Sequence, residues 1–306
     1  MDLRELEAFQ AVVEAGGVGR AALRLHRAQS SITARIRQWE SSLGVALFER
    51  DGRTLRLTAA GDALLGYADR LLGLAEEARV AVRLDAVCGR LRLGAMESVA
   101  ASRLPHPLAE FHRRHPEVMV ELQTAPSREL IARLQAGTLD AAIVGDEVDS
   151  ARFARVPLYQ EELVLVAAVG SPLLDDPRRL NGKTLLVFYG QGCAYRRRLE
   201  QWLQTLRVVP ARMLEFASYH AILAAAAAGV GASLVPRSVL EIYPQRAALS
   251  LGKVPARVAR LQTLLAMSRT LHAPALTRLA DALRADAARS AAVGKRKPLG
   301  KGCESR

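Results

Sequence analysis

The chain has 306 residues, half of them apolar and 24% charged, which suits two or three globular domains and excludes wholesale disorder. Its net charge of +12 favours a polyanionic partner, either nucleic acid or an anionic membrane surface. No run approaches the ~18 apolar residues of a membrane span, no basic and apolar leader opens the chain, and Cys88, Cys193 and Cys303 stand too far apart for CxxC chemistry. The expectation is a cytoplasmic protein in a reducing compartment, with no cofactor, no metal and no membrane partner.

Leu3, Leu6, Phe9, Val12 and Val13 recur at three- and four-residue intervals, predicting an amphipathic helix that Gly16 and Gly17 end. A second helix is expected from about Val18 to Leu25. After a short turn at His26 to Ala28, a third runs from Gln29 to Leu43, where Gly44 closes it. Two helices joined by so short a turn make a helix-turn-helix pattern. Ala46 to Arg50 and Thr54 to Leu57 then read as strands around Asp51-Gly52, a hairpin that would form a wing.

The third helix holds an unusual composition. From Ala15 to Trp39 there is no Asp or Glu, although Arg20, Arg24, Arg27, Arg35 and Arg37 all fall there. The segment's overall charge is still modest, since Met1 to Thr58 carries nine arginines and seven acids. With Ile32, Ile36, Trp39 and Leu43 facing the core, the other face presents Ser30, Ala34 and Arg37, flanked by Ser31 and Thr33, with Gln29 at the tip. Short side chains let a helix approach the DNA major groove, an amide can bond adenine through two hydrogen bonds, and arginine can read guanine or hold phosphate. Arg50 and Arg53 on the wing can reach phosphate or a narrow minor groove. The alternative is an ordinary solvated, Arg-rich surface helix.

Thr58 can cap a long helix with Asp62 in its first turn, continuing to about Val87. Along it Leu64, Ala68, Leu71, Ala75, Ala78 and Val82 alternate spacings of four and three, a heptad seam that predicts a partner helix and so a homodimer. Packing on its own domain is the alternative.

From Arg90 onward, short β-rich runs alternate with helical ones, implying parallel-rich sheets flanked by helices and room for two small α/β lobes. The organisation expected is a DNA-binding domain at 1–58, a linker helix at 59–88, an effector domain at 89–292 and a disordered basic tail at 293–306. Within the effector domain, about 89–160 with 266–292 would form one lobe and about 161–265 the other. Ser98, Thr124 and Ser127 follow strands of the first lobe. Cys193 and Tyr195 in GQGCAYRRR, with Ser218 and Tyr219, face them from the second. Hydroxyls beside helix N-termini suit a carboxylate, so a small, anionic metabolite is expected between the lobes, with simple helix capping as the alternative. No His and Asn accompany Cys193 as a catalytic set, and the residue reads as a pocket wall. His106, His112 and His115 lack further ligands and read as a solvated face.

The stretch FQAVVEAGGVGRAALRLHRAQSSITARIRQWESSLGVALFERDGRTLRLTAAG closely resembles the N-terminal domain of the LysR-type transcriptional regulators, and the remainder to Ala292 looks like their effector domain. Ala21-Ala22, Gln29, the Ile36 to Leu43 run, LGVALFER and LTAAG carry the resemblance. It implies a multidomain α/β protein: a winged helix-turn-helix, a long dimerising helix, and two lobes like those of periplasmic solute-binding proteins. It further implies binding of double-stranded promoter DNA, homotetramers, and RNA polymerase as a further partner. Gly17, Leu23, Ala34 and Trp39 depart from the family's usual residues, Ala34 at a base-contacting position. A DNA-binding regulator is therefore expected, not an enzyme. A cleft enzyme with an incidental N-terminal domain would need a nucleophile and base, or a metal site; an effector-independent DNA binder would have no use for two lobes.

Overall fold

A computed structural model describes residues 2–51, 54–81, 87–145, 148–190, 192–269 and 273–294. The chain divides into two compact units, one from Met1–Ala86 with Ala136–Thr138 and the other from Val87–Gln135 and from Leu139 onward. Gly52 and Arg53 of the wing, Val82 of the seam, and the tail from 295 with Cys303 lie outside the described residues.

In the first unit α1 (Leu3–Ala15), α2 (Val18–Arg24) and α3 (Gln29–Leu43) precede a hairpin of β1 (Phe48–Asp51) and β2 (Thr54–Leu57), then α4 (Ala59–Ala81). Asp2 and Glu5 form a capping box that starts α1. The core is apolar and tight: Phe9 meets Trp39 edge to face at 5.8 Å and Phe48 at 5.3 Å, while Leu6, Ile32, Ile36 and Leu47 are buried around them. Each such side chain contributes about 1.5–3 kcal/mol by leaving water. Gly44 ends α3 in the left-handed conformation at φ 71°, where its amide bonds back to the last turn. The next acid after the acid-free run, Glu40, accepts from the Leu47 and Phe48 amides at 2.7 and 3.1 Å, which ties α3 to the wing. Thr58 accepts from the Gly61 amide at 3.1 Å, and a Cβ on Gly61 would meet the Leu47 carbonyl at 2.2 Å, so only glycine lets α4 leave the hairpin this closely.

The start of the predicted seam of α4 packs on its own unit, the alternative to a partner helix, and the exposed apolar residues of α4 lie off that seam. Ala68 is wholly buried against the core of its own unit, with Leu64 and Leu71 packed beside it, and Gln10 donates to Asp69 at 2.7 Å. Tyr67 and Leu74, one heptad apart, are instead each 61% exposed.

The second unit contains β3 (Gly89–Ala95), α5 (Glu97–Ser102), α6 (Pro105–Arg114), β4 (Val118–Thr124), α7 (Ser127–Gln135), β5 (Ala141–Gly145), β6 (Phe153–Ala168), β7 (Thr184–Phe188), α8 (Ala194–Leu206), β8 (Arg212–Phe216), α9 (Tyr219–Ala227), β9 (Ser233–Pro236), α10 (Arg237–Glu241), β10 (Leu249–Gly252), α11 (Ala256–Ala259), β11 (Arg260–Ser268) and α12 (Pro274–Gly294). Pairing is mixed. β3 runs parallel to β4 and β5, and β7 to β8, whereas β11 is antiparallel to β5 and β6, and β6 to β9 and β10.

β6 is sixteen residues long, twice the apolar run that marks it in the sequence. Its first half pairs with β11 in one lobe and its second half with β9 and β10 in the other. Pro157, which cannot donate to a ladder, is tolerated because this half of β6 is an edge and β11 bulges nearby between Gln262 and Leu264. At the changeover Glu161 is 2% exposed. It accepts from the Arg103 guanidinium and the Ser238 hydroxyl, both at 2.8 Å, so the buried charge is paired.

Candidate functional site: a helix face and a closed cleft

The exposed face of α3 carries Gln29, Ser30, Ser31, Ala34 and Arg37 together, as their spacing demands. Thr33 is half-buried, and its hydroxyl donates to the Gln29 carbonyl at 3.0 Å. No side chain caps the start of α3, where Ala28 precedes the helix, which leaves backbone N–H groups facing outward. Two of the five arginines in the acid-free run are committed within the unit: Arg20 donates to the Gly16 carbonyl at 2.8 Å, and Arg24 pairs with Glu14. Leu23 is 78% exposed on α2. Arg50 stands on β1 opposite Leu55, and Arg53 lies outside the described residues.

In the second unit, Ser98, Ser127, Cys193, Tyr195 and Tyr219 do line one cavity. Thr124 does not: it is exposed at the end of β4. Nor does Ser218, which caps α9 by accepting from the His220 amide at 3.2 Å. The Ser98 hydroxyl bonds the Tyr195 hydroxyl at 3.2 Å across the two lobes, and Ser127 accepts from the Gly145 amide at 3.2 Å. Phe188 and Tyr219 stack at 4.9 Å and 16°, with Tyr195 tilted against Tyr219 at 6.0 Å. The lobes meet so closely that the cavity measures about 10 Å³, room for roughly one water molecule.

Cys193 touches Tyr219 through sulfur at 3.7 Å, and burial pushes its thiol up, away from the thiolate that a nucleophile requires. Burial likewise holds Tyr195 and Tyr219 protonated.

Glu97 also lines this cavity and was not marked by the sequence. Its Oε2 is buried without a hydrogen-bond partner. Burial pushes its carboxyl up, and the Tyr219 amide, His220 and the Ser218 hydroxyl oppose the shift only in part. A carboxylate at a helix start ordinarily reads as a partner for the helix dipole, which concealed its position. Among the described residues no group of three metal-ligating side chains occurs, and no helix is long and apolar enough to cross a membrane.

Residues 3–62 match the bacterial regulatory helix-turn-helix protein, lysR family, and residues 85–288 match the LysR substrate binding domain. The uncharacterized HTH-type transcriptional regulator YusT of Bacillus subtilis is 36% identical over 264 residues, 86% of this chain and 88% of that one. The regulator GltR of the same organism is 32% identical over 279 residues, covering 90% of this chain and 94% of its own. A full-length OxyR variant from Pseudomonas aeruginosa superposes with a TM-score of 0.70 at 26% identity, over 93% of this chain and 95% of that one. Full-length CbnR complexed with its target DNA gives 0.67 at 28% identity, over 94% of this chain and all of the other. A helix-turn-helix unit whose third helix has an acid-free outer face, followed by a two-lobed unit with an interlobe cavity, thus has full-length counterparts in both sequence and structure: the chain belongs to the LysR family of DNA-binding transcriptional regulators and is not an enzyme.

Proposed function

We propose that α3 enters the DNA major groove, with Gln29, Ser30, Ser31, Thr33, Ala34 and Arg37 facing base edges and Arg50 and Arg53 on the backbone. We further propose that a small molecule bound between the lobes sets operator affinity. The observation that carries the first part is the exposed, acid-free face of α3 above an uncapped N-terminus. Arginine against a guanine edge is worth about 1–3 kcal/mol of discrimination, and phosphate contacts make affinity fall steeply with salt.

Tyr67 and Leu74 fit a second copy of α4, since two exposed apolar side chains one heptad apart match a coiled-coil seam. A homodimer would place two recognition helices on two half-sites, and pairing of dimers would give the homotetramer. The expected cytoplasmic location and contact with RNA polymerase accord with such a role.

An anionic effector at Ser98 has less support than the sequence suggested. The Ser98 hydroxyl is engaged by Tyr195, and Glu97 stands next to it in the lining. Deciding the function takes a duplex selected from a random pool and fluorescence anisotropy. The full chain should bind it with a steep salt dependence, and Gln29→Ala or Arg37→Ala should weaken binding; equal affinity of both variants and wild type would refute the role of α3.

A further inference from the structure

Resting on the interlobe cavity as the effector site, we infer that the effector presents a cationic nitrogen, an ammonium or similar group, to Glu97 and the aromatic faces beside it. Three observations converge. Glu97 lines the cavity and its Oε2 is buried with no hydrogen-bond partner, while the Tyr219 amide, the Ser218 hydroxyl and His220 act on the same carboxyl without offsetting its burial; an incompletely paired carboxylate is relieved by a cation or by a strong hydrogen-bond donor. Tyr219, stacked on Phe188 and near Tyr195, offers the ring faces that attract a desolvated cation. No lysine or arginine is among the described lining residues.

His220, beside Tyr219, acts on Glu97 from outside the lining, and Arg128, beside Ser127, is exposed, while two further arginines on these elements are already occupied. Arg196, on the same helix as Tyr195, is paired with Glu200 and Glu215, and Arg103 is paired with Glu161. In a chain of net charge +12, this cavity is therefore lined by one acid and no described base. A carboxylate ligand would meet Glu97 with no base in the lining to offset it, His220 lying outside. A cavity of about 10 Å³ admits the head of such a ligand only if the lobes part, so binding and lobe separation are one event.

The test uses the full chain with two matched probe series: n-butylammonium and tetramethylammonium against n-valerate and pivalate, read by thermal shift and calorimetry in the millimolar range. The ammonium ions should bind and raise the melting temperature of the wild type, while the carboxylates should not. Glu97→Gln should weaken ammonium binding roughly tenfold or more, the loss of a charge-assisted contact. The preference of the wild type decides the question even if the variant folds poorly. Tighter binding of the carboxylates overturns the inference, and so does binding of neither series. DNA binding measured on the same preparation keeps the two conclusions apart. Ammonium binding with no change in DNA affinity would sink the regulatory role of the cleft and spare the inference; a carboxylate that changes DNA affinity would do the reverse.

Discussion

The outer face of α3 and the wall of the interlobe cavity are opposites in charge and in exposure. The first gathers arginine and short polar groups in water with no acid; the second gathers one acid and three aromatic rings out of water with no described base. Each arrangement selects by what it lacks. An acid on the outer face of α3 would repel phosphate at every site on DNA, whereas a base in the cavity lining would neutralise Glu97 and erase its preference for a cation. Specificity for two partners of opposite sign can therefore be held in one chain without either site competing for the other's ligand.

The sharpest way to break this contrast is to reverse the sign on the helix. Arg37→Glu should reduce affinity for a selected duplex by roughly 100-fold or more at moderate salt, by loss of a base or phosphate contact plus repulsion. Probe binding in the cleft should be untouched; a parallel loss there, seen by calorimetry, would mean general unfolding. Gln29→Ala should cost roughly tenfold and relax selection at one base pair, read by repeating the selection with the variant. If the selected sequence is unchanged, Gln29 is not a reader.

Ser98→Ala addresses the cavity wall. It strands the Tyr195 hydroxyl in a buried setting, which should cost about 1–3 kcal/mol in the stability of the second unit. The response of DNA binding to an effector should weaken while basal binding persists. A normal response would remove Ser98 from the site. The smallest effect concerns Glu97 itself. Its carboxyl binds a proton more tightly folded than unfolded, because burial raises it more than the Tyr219 amide, His220 and Ser218 lower it. That contribution is present below the unfolded value and lost as pH rises through the folded one. Glu97→Gln should therefore melt roughly 1–3 °C above wild type near neutral pH, the gap closing in acid. An equal gap at all pH values would point to packing instead of charge.

Local regularity explains what the sequence disclosed. α3 begins at Gln29 and ends at Gly44 as expected, because a 3.6-residue apolar period and a left-handed glycine are properties of neighbouring residues. The first half of β6 was not legible. FARVPLYQE mixes charges with Pro157, and it is strand only because β11 pairs with it from a hundred residues away. The period of Leu64, Ala68 and Leu71 on α4 was visible, yet it packs on its own unit rather than marking a partner, because periodicity shows that a face is apolar and not what covers it. Five of the seven effector candidates came together because each ends a strand or opens a helix at the lobes' facing edges. Thr124 failed for the same reason that it was chosen: being at a strand end says nothing about which way that end faces.

Among the described residues β6 is the strand that both lobes share. It is bonded along one half to β11 and along the other to β9 and β10, so any parting of the lobes would have to twist or bend this ribbon. Glu161 sits at its waist, clasped by Arg103 from one side and Ser238 from the other. A ligand that wedges the lobes apart would therefore act on the clasp at Glu161 as well as on the cavity it enters.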